Sequence, residues 1–206
     1  MLRRHLAARD ITDRRVLAAM RAVPREAFVP EHLLAQAYDD GPLPIGHDQT
    51  ISQPYIVALM TQEARVTRRA NVLDVGTGSG YQAAVLARLA RHVWSVERLE
   101  PLSRAADERL RSLGIDNVTL VIGDGALGCP AGAPYDAIVV AAASPRIPRP
   151  LVDQLAVHGR LVIPLGDRAL QDLTILERTP SGYRTTRAGP CRFVPLVSDE
   201  AFGEMR

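Results

Sequence analysis

Residues 71–81 read NVLDVGTGSGY, and they limit the fold more than any other part of the chain. A short apolar run with β-branched residues ends in Asp74-Val75, and glycines follow at 76, 78 and 80. Small residues then continue in a helical pattern over 81–91. A buried strand, a glycine-rich turn and a helix in direct succession form the opening unit of an open α/β sheet. Such glycines let backbone approach a ligand closely and take positive φ where needed.

Downstream the same unit recurs. Residues 92–96, 118–122, 137–141 and 159–164 read as apolar strands, with helices over 100–114, closed by Gly114, and 150–157. Continuous apolar strands alternating with helices predict a doubly wound, mostly parallel, Rossmann-like α/β sheet. Shorter edge strands are expected at 173–177, 183–186 and 193–196. Upstream lies an N-terminal helical extension. Residues 11–23 place Val16, Leu17, Met20 and Val23 on one stripe, with Thr12 or Asp13 as cap and Pro24 as stop. A short helix is expected from Pro30, carrying Leu33, Leu34 and Ala37. Residues 39–52 (DDGPLPIGHDQTIS) are polar and rich in Gly and Pro, which predicts an ordered loop, and 53–66 is helical again. The length fits one domain over 1–206: helices and loop in 1–66, the α/β core in 67–206.

Composition removes several function classes. Twenty-five basic residues, all arginine, face 23 acidic ones, for a net charge of +2. That balance argues against nucleic acid as a partner. The absence of lysine excludes Schiff-base chemistry and a P-loop lysine. Cys129 and Cys191 are too few for a disulfide framework or a four-ligand zinc site, and no metal is expected. The N-terminus lacks the apolar core of a signal peptide, and no window approaches about 18 uninterrupted apolar residues. No membrane association, a cytoplasmic location and a monomer are therefore expected.

The glycine turn also narrows the ligand. A dinucleotide fingerprint needs Gly or Ala at position 81, where this chain has Tyr81. Asp74-x-Gly76-Thr77-Gly78-x-Gly80 fits instead the acidic, glycine-spaced pattern of S-adenosylmethionine (SAM) sites. Glu97 ends the second strand of the core, where a carboxylate can accept both ribose hydroxyls. Asp124, before Gly125 in GDG, follows the third and can meet an adenine amino group. Three acids at successive strand ends suit a cationic sulfonium better than a diphosphate. The expected fold is thus of the class I SAM methyltransferase type. Residues 139–144 (VVAAAS) hold no aromatic to grip a planar nitrogen, so the methyl acceptor is read as an oxygen. A carboxylate acceptor is already ionised at neutral pH and needs no general base. No Ser-His-Asp arrangement, H-E-x-x-H motif or activated cysteine contradicts this. His47 is read as a structural hydrogen-bonder and Trp94 as core.

These residues, together with VPREAFVP (23–30), IGHDQTISQPYIVALM (45–60), YDAIVVAAA (135–143), GRLVIPLG (159–166) and RFVPL (192–196), resemble the protein-L-isoaspartate O-methyltransferase family over most of the chain. The resemblance implies SAM-dependent methyl esterification of the α-carboxylate of L-isoaspartyl residues in damaged proteins and peptides. Such an ester collapses to a succinimide, which hydrolyses in part to normal aspartyl. It places the active-site serine at Ser52, with Thr50, Ile51 and Gln53 flanking the acceptor pocket. Ser52 read alone is also a candidate cap for the 53–66 helix. Departures from the family pattern at Cys129-Pro130, Ala143-Ser144 and Cys191 are expected to touch the peptide-facing rim. Two alternatives stay open. One is a relative that methylates an aspartate in a dedicated peptide precursor, which the short stretch after RFVPL disfavours. The other is a SAM-binding protein without turnover.

Overall fold

The computed structural model describes residues 1–203; residues 204–206, the end of the expected domain, lie outside the described residues. A π-helical turn over Leu2–Ala7 precedes helix α1 (Arg14–Ala22). Asp13 caps α1, its Oδ1 accepting from the Arg15 N–H at 2.8 Å, and Val16, Met20 and Val23 face inward as the stripe predicts. The helix expected from Pro30 is a 3₁₀ turn over Glu31–Gln36 that leaves Leu34 exposed.

The polar segment 39–52 is more regular than a loop. Leu43–Gly46 (β1) and Gln49–Ile51 (β2) pair as an antiparallel hairpin. Its tip residues His47 and Asp48 have φ of 53° and 55°. Two left-handed residues in a row match the right-handed twist of hairpin strands. The usual signal for that turn is Asn-Gly, and Pro44 inside β1 hides the strand further. Helix α2 (Pro54–Glu63) follows, with proline at its first turn, where no N–H is needed.

The core then alternates β3 (Asn71–Val75), α3 (Tyr81–Ala87), β4 (His92–Glu97), α4 (Glu100–Ser112), β5 (Val118–Ile122), β6 (Tyr135–Val140), α5 (Arg149–Asp153), β7 (Leu155–Gly166), β8 (Gln171–Thr179) and β9 (Gly182–Cys191). The strand order is β5-β4-β3-β6-β7-β8-β9. Strands β3 to β7 pair in parallel, and β8 and β9 are added antiparallel. Three expectations need correction. The helix expected over 150–157 ends at Asp153, because β7 already starts at Leu155. Residues 193–196 form no strand: they meet the sheet through a single bridge, Ala143 to Pro195. Of the strands expected at the edge, β8 lies inside the sheet and β9 forms one edge, opposite β5.

Alternation along the strands sorts two cores. Val72, Val93, Ala137 and Val139 face α1, α2 and α3, while Leu73, Val96, Ile138 and Val140 face the side of α5. Every residue of α3 is buried, so its run of small side chains lets it lie between the sheet and the N-terminal helices. From β3 the chain builds outward through β4 and β5, then returns to place β6 on the other flank of β3. That reversal opens a crevice beyond the carboxyl ends of β3 and β6, where open α/β sheets bind ligands.

Candidate functional site

Val75, Val96 and Val140 are register partners, so residues 76, 97 and 141 reach the crevice at one level. The glycine turn is pinned there by backbone bonds: Gly76 N–H to Val96 O at 2.9 Å, and Gly80 N–H to Thr77 O at 2.8 Å. Gly78 lies at φ 52°, which turns its N–H outward to donate to Glu97 Oε2 at 2.9 Å. The other Glu97 oxygen accepts from the Leu99 N–H at 3.0 Å. Glu97 thus clamps the turn of β3 to the end of β4.

The period of two places Asp74, Ser95 and Glu97 on the same face of the sheet. Asp74 and Ser95 are also register partners, and the Ser95 hydroxyl donates to Asp74 Oδ2 at 2.7 Å. With that proton committed, the Thr77 hydroxyl donates to Ser95 Oγ at 2.6 Å. The chain Thr77–Ser95–Asp74 ties the glycine turn to the carboxylate beneath it. Asp74 is fully buried, and its Oδ1 has no partner among the described residues. Burial pushes its carboxyl up to about 7; the Ser95 hydrogen bond opposes the shift and the Glu97 charge adds to it.

A cavity of about 230 Å³ opens above this floor. Of the sequence candidates, Gly76, Thr77, Gly78, Glu97 and Gly125 line it, as do Thr50, Ile51 and Ser52 from the hairpin. Asp74, Gly80 and Asp124 do not. Asp74 lies under the turn, and Gly80 is the residue at the start of α3. Asp124 caps the 3₁₀ turn Gly125–Leu127: its Oδ1 accepts from the Ala126 N–H at 2.9 Å and its Oδ2 from the Ser198 hydroxyl at 2.6 Å. It presents Gly125 to the cavity, and a Cβ on Gly125 would fall 2.4 Å from Val75 Cγ1, so the close approach needs glycine.

A second, open groove of about 590 Å³ lies on the far side of Ser52. Thr50, Ser52, Ala141, Val194 and Pro195 line both spaces and form the ridge between them. Ser52 does not cap α2; that position is Gln53, whose Nε2 donates to Asp40 O at 3.0 Å and whose side chain lines only the groove. The half-buried Ser52 hydroxyl has no protein partner among the described residues. The wall formed by residues 194–197 was read in the sequence as an edge strand at 193–196 and not as part of a site. It is held by Ala143 N–H to Val194 O (2.8 Å) and Leu196 N–H to Ala143 O (2.7 Å), a contact between distant segments that leaves no local pattern. Ala141 and Ala142, also lining residues, were legible in principle as the end of β6.

Of the departures from the family pattern, only Cys191 lines the groove. Cys129 is buried in the second core, and Ala143 and Ser144 are buried behind the ridge. Burial raises the Cys191 thiol to about 11, so it is no ready nucleophile. His47 serves the hairpin turn, its carbonyl accepting from Gln49 Nε2. Among the described residues no cluster of His, Cys, Asp and Glu could hold a metal.

The cavity suits SAM on this structure's own terms. It offers a glycine turn close enough for backbone contact, one clamped carboxylate beside it, and apolar walls from Val75, Val96 and Leu196. Comparison with known proteins agrees. The profile of the protein-L-isoaspartate(D-aspartate) O-methyltransferase family matches residues 1–201. A protein-L-isoaspartate O-methyltransferase of Syntrophobacter fumaroxidans is 54% identical over 197 residues, 96% of this chain and 92% of that protein. One from Gloeobacter violaceus is 51% identical over 201 residues, 97% and 98% of the two chains. The crystal structure of a Plasmodium falciparum protein described as a putative protein-L-isoaspartate O-methyltransferase, in complex with S-adenosyl-L-homocysteine, superposes with a TM-score of 0.81 at 28% identity. It covers 95% of this chain and 96% of that one. Another solved protein-L-isoaspartate O-methyltransferase gives 0.83 at 28% identity, over 93% of this chain and 63% of that longer one. The fold is that of the class I SAM methyltransferases, and the chain belongs to the protein-L-isoaspartate(D-aspartate) O-methyltransferase family.

Proposed function

We infer that this protein transfers a methyl group from SAM to the free α-carboxylate of L-isoaspartyl residues in damaged proteins and peptides. The observation that carries the reading is the position of Ser52. It stands on the ridge shared by a lined cavity and an open groove, with its hydroxyl free of protein partners among the described residues.

Bound SAM supplies an electrophilic methyl group on a sulfonium. In this reading Gly76, Thr77, Gly78, Glu97 and Gly125 hold the cofactor, Glu97 reaching the ribose hydroxyls. Asp74 and Asp124 act from behind, one through Ser95 and Thr77, the other by setting the Gly125 turn. Thr50, Ile51 and Gln53 shape the acceptor pocket. The Ser52 hydroxyl donates a hydrogen bond to the acceptor carboxylate and aims one of its oxygens across the ridge. A carboxylate is ionised at neutral pH, so no side chain has to take a proton, and what the protein contributes is proximity and alignment. The resulting ester closes to a succinimide, whose hydrolysis returns part of the chain to normal aspartyl. The cytoplasm as its location belongs to the same reading, supported by two unpaired cysteines, the usual state in a reducing compartment.

The test is methyl transfer from labelled SAM to a matched pair of peptides, one isoaspartyl and one aspartyl. Methylation of the isoaspartyl peptide alone is expected. Equal labelling of both would reject the assignment, and SAM binding without turnover would make the chain a binding protein.

A further inference from the structure

The groove beyond Ser52 has an uneven charge that the methyl-transfer reaction does not call for. Three arginines from distant parts of the chain line it: Arg9 before α1, Arg168 between β7 and β8, and Arg192 after β9. No Asp or Glu lines it, although the chain as a whole is nearly balanced at +2. Two of the guanidinium groups are held by aromatic faces. Arg9 lies 3.4 Å from the centroid of the Tyr55 ring, and Arg168 lies 4.9 Å from that of Phe202. Stacking fixes the planar fork while leaving most of its donors free, which lowers the entropy lost when a carboxylate binds. Asp40, 3.4 Å from Arg9, offsets part of that residue's charge. Arg192 is exposed and has no ion pair among the described residues.

We propose that Arg9, Arg168 and Arg192 make this enzyme select isoaspartyl sites whose neighbouring residues are acidic. The inference rests on the methyl-transfer reading above and adds the substrate class to it. The α-carboxylate to be methylated sits at Ser52, and the side-chain carboxylates of flanking Asp or Glu residues meet the arginines along the groove. Because these pairs are exposed, they act on capture of the peptide more than on the chemical step, and salt weakens them.

The experiment uses three isoaspartyl peptides that differ only in flanking residues: acidic, neutral or basic. Steady-state kcat and KM are measured for each at low salt and at about 0.5 M salt, where the screening length is only a few ångströms. The expected order of kcat/KM is acidic, then neutral, then basic, with the spread carried by KM and compressed by salt. Each of Arg192→Gln and Arg168→Gln should lower the acidic-to-neutral ratio by roughly two- to five-fold, the range of one exposed ion pair. Arg192→Lys should restore most of it, and Arg192→Glu should favour the basic peptide. Thermal melting of each variant checks that the fold is intact. A wild-type ratio of one or below, or a ratio indifferent to both glutamine variants, overturns the proposal. The reaction itself is judged separately: methylation of all three peptides without preference removes only this inference, whereas methylation of none removes the reading beneath it.

Discussion

The cofactor cavity and the acceptor groove meet at Ser52 but are assembled by different means. The cavity is built on a strand-turn-helix unit contiguous in sequence, with each turn of backbone tied down: Gly76 and Thr77 to Val96, Gly78 to Glu97, and Thr77 through Ser95 to Asp74. The groove is gathered from the N-terminal segment, the β1–β2 hairpin, the β7–β8 connection and the chain after β9. Its charged side chains are exposed and its walls rest on a few bonds to Ala143. The cavity receives one small molecule of fixed shape, so pre-organised backbone suits it. In the proposed reading the groove receives peptides of many sequences, with Ser52 as its one fixed point and the remainder left to adaptable contacts.

That contrast is broken most directly at the ridge. Ser52→Ala removes the hydroxyl proposed to hold the acceptor carboxylate at the ridge. Displacing an acceptor by about 1 Å can cost about 100-fold in rate, so kcat should fall by about that factor. SAM affinity, measured by calorimetry, should stay near wild type, because the cavity floor and clamp are untouched. In the wild-type enzyme no species methylated at Ser52 should accumulate by mass spectrometry. If SAM binding falls in parallel with turnover, the two spaces are not separable at Ser52 and the comparison fails.

The second strike is at the clamp. Glu97→Ala leaves the Gly78 and Leu99 N–H groups without their carboxylate and removes the proposed ribose contact. A hydrogen bond to a charged group is worth about 1.5–3 kcal/mol, so Kd for SAM should rise roughly ten- to hundredfold. The KM for a neutral isoaspartyl peptide at saturating SAM should change far less. An unaltered Kd would show that the turn, and not Glu97, carries the cofactor.

The two regions also differed in how far they were legible in sequence. The turn at 74–80 and Glu97 are local: a strand pattern, glycine spacing and a strand-end acid suffice to place them, and the parallel register explains why they converge. Asp74 and Asp124 were legible as acids at strand ends, but whether a side chain faces a ligand or the floor depends on packing. Asp74 is roofed by the turn it precedes, and Asp124 is occupied by Ser198, a partner far along the chain. The groove was readable through family resemblance alone, at TISQ, at RFVPL and at Cys191, which was expected on the peptide-facing rim. The hairpin hid behind Pro44 and an unusual His-Asp tip, and the wall at 194–197 depends on a single bridge to Ala143. The extra antiparallel pair β8–β9 shows the same limit, since its strands run well past the segments 173–177 and 183–186 that marked them.

The smallest effect concerns the floor, and it asks whether the cavity's order depends on charge or on architecture. Asp74 is buried with an unpartnered Oδ1, and its carboxyl is raised from an ordinary 3.8 to about 7, mainly by burial. The folded chain therefore holds that proton more tightly than the unfolded chain does. Stability contributed by this group is fully present below about pH 4, declines as pH rises toward 7, and is lost above it. Asp74→Asn removes the titration and keeps an oxygen to accept from Ser95, so the relay to Thr77 survives. The variant should match wild type near pH 4 and melt higher at pH 8, the difference growing as pH rises across that interval. Melting curves of both proteins across pH 4–8 decide it. A gap that widens with pH means that the glycine turn is held by geometry while the buried charge costs stability. A constant gap, or an asparagine variant that is less stable at pH 8, would mean that the ionised carboxylate itself organises the turn, and the cavity would then depend on charge as the groove is proposed to do.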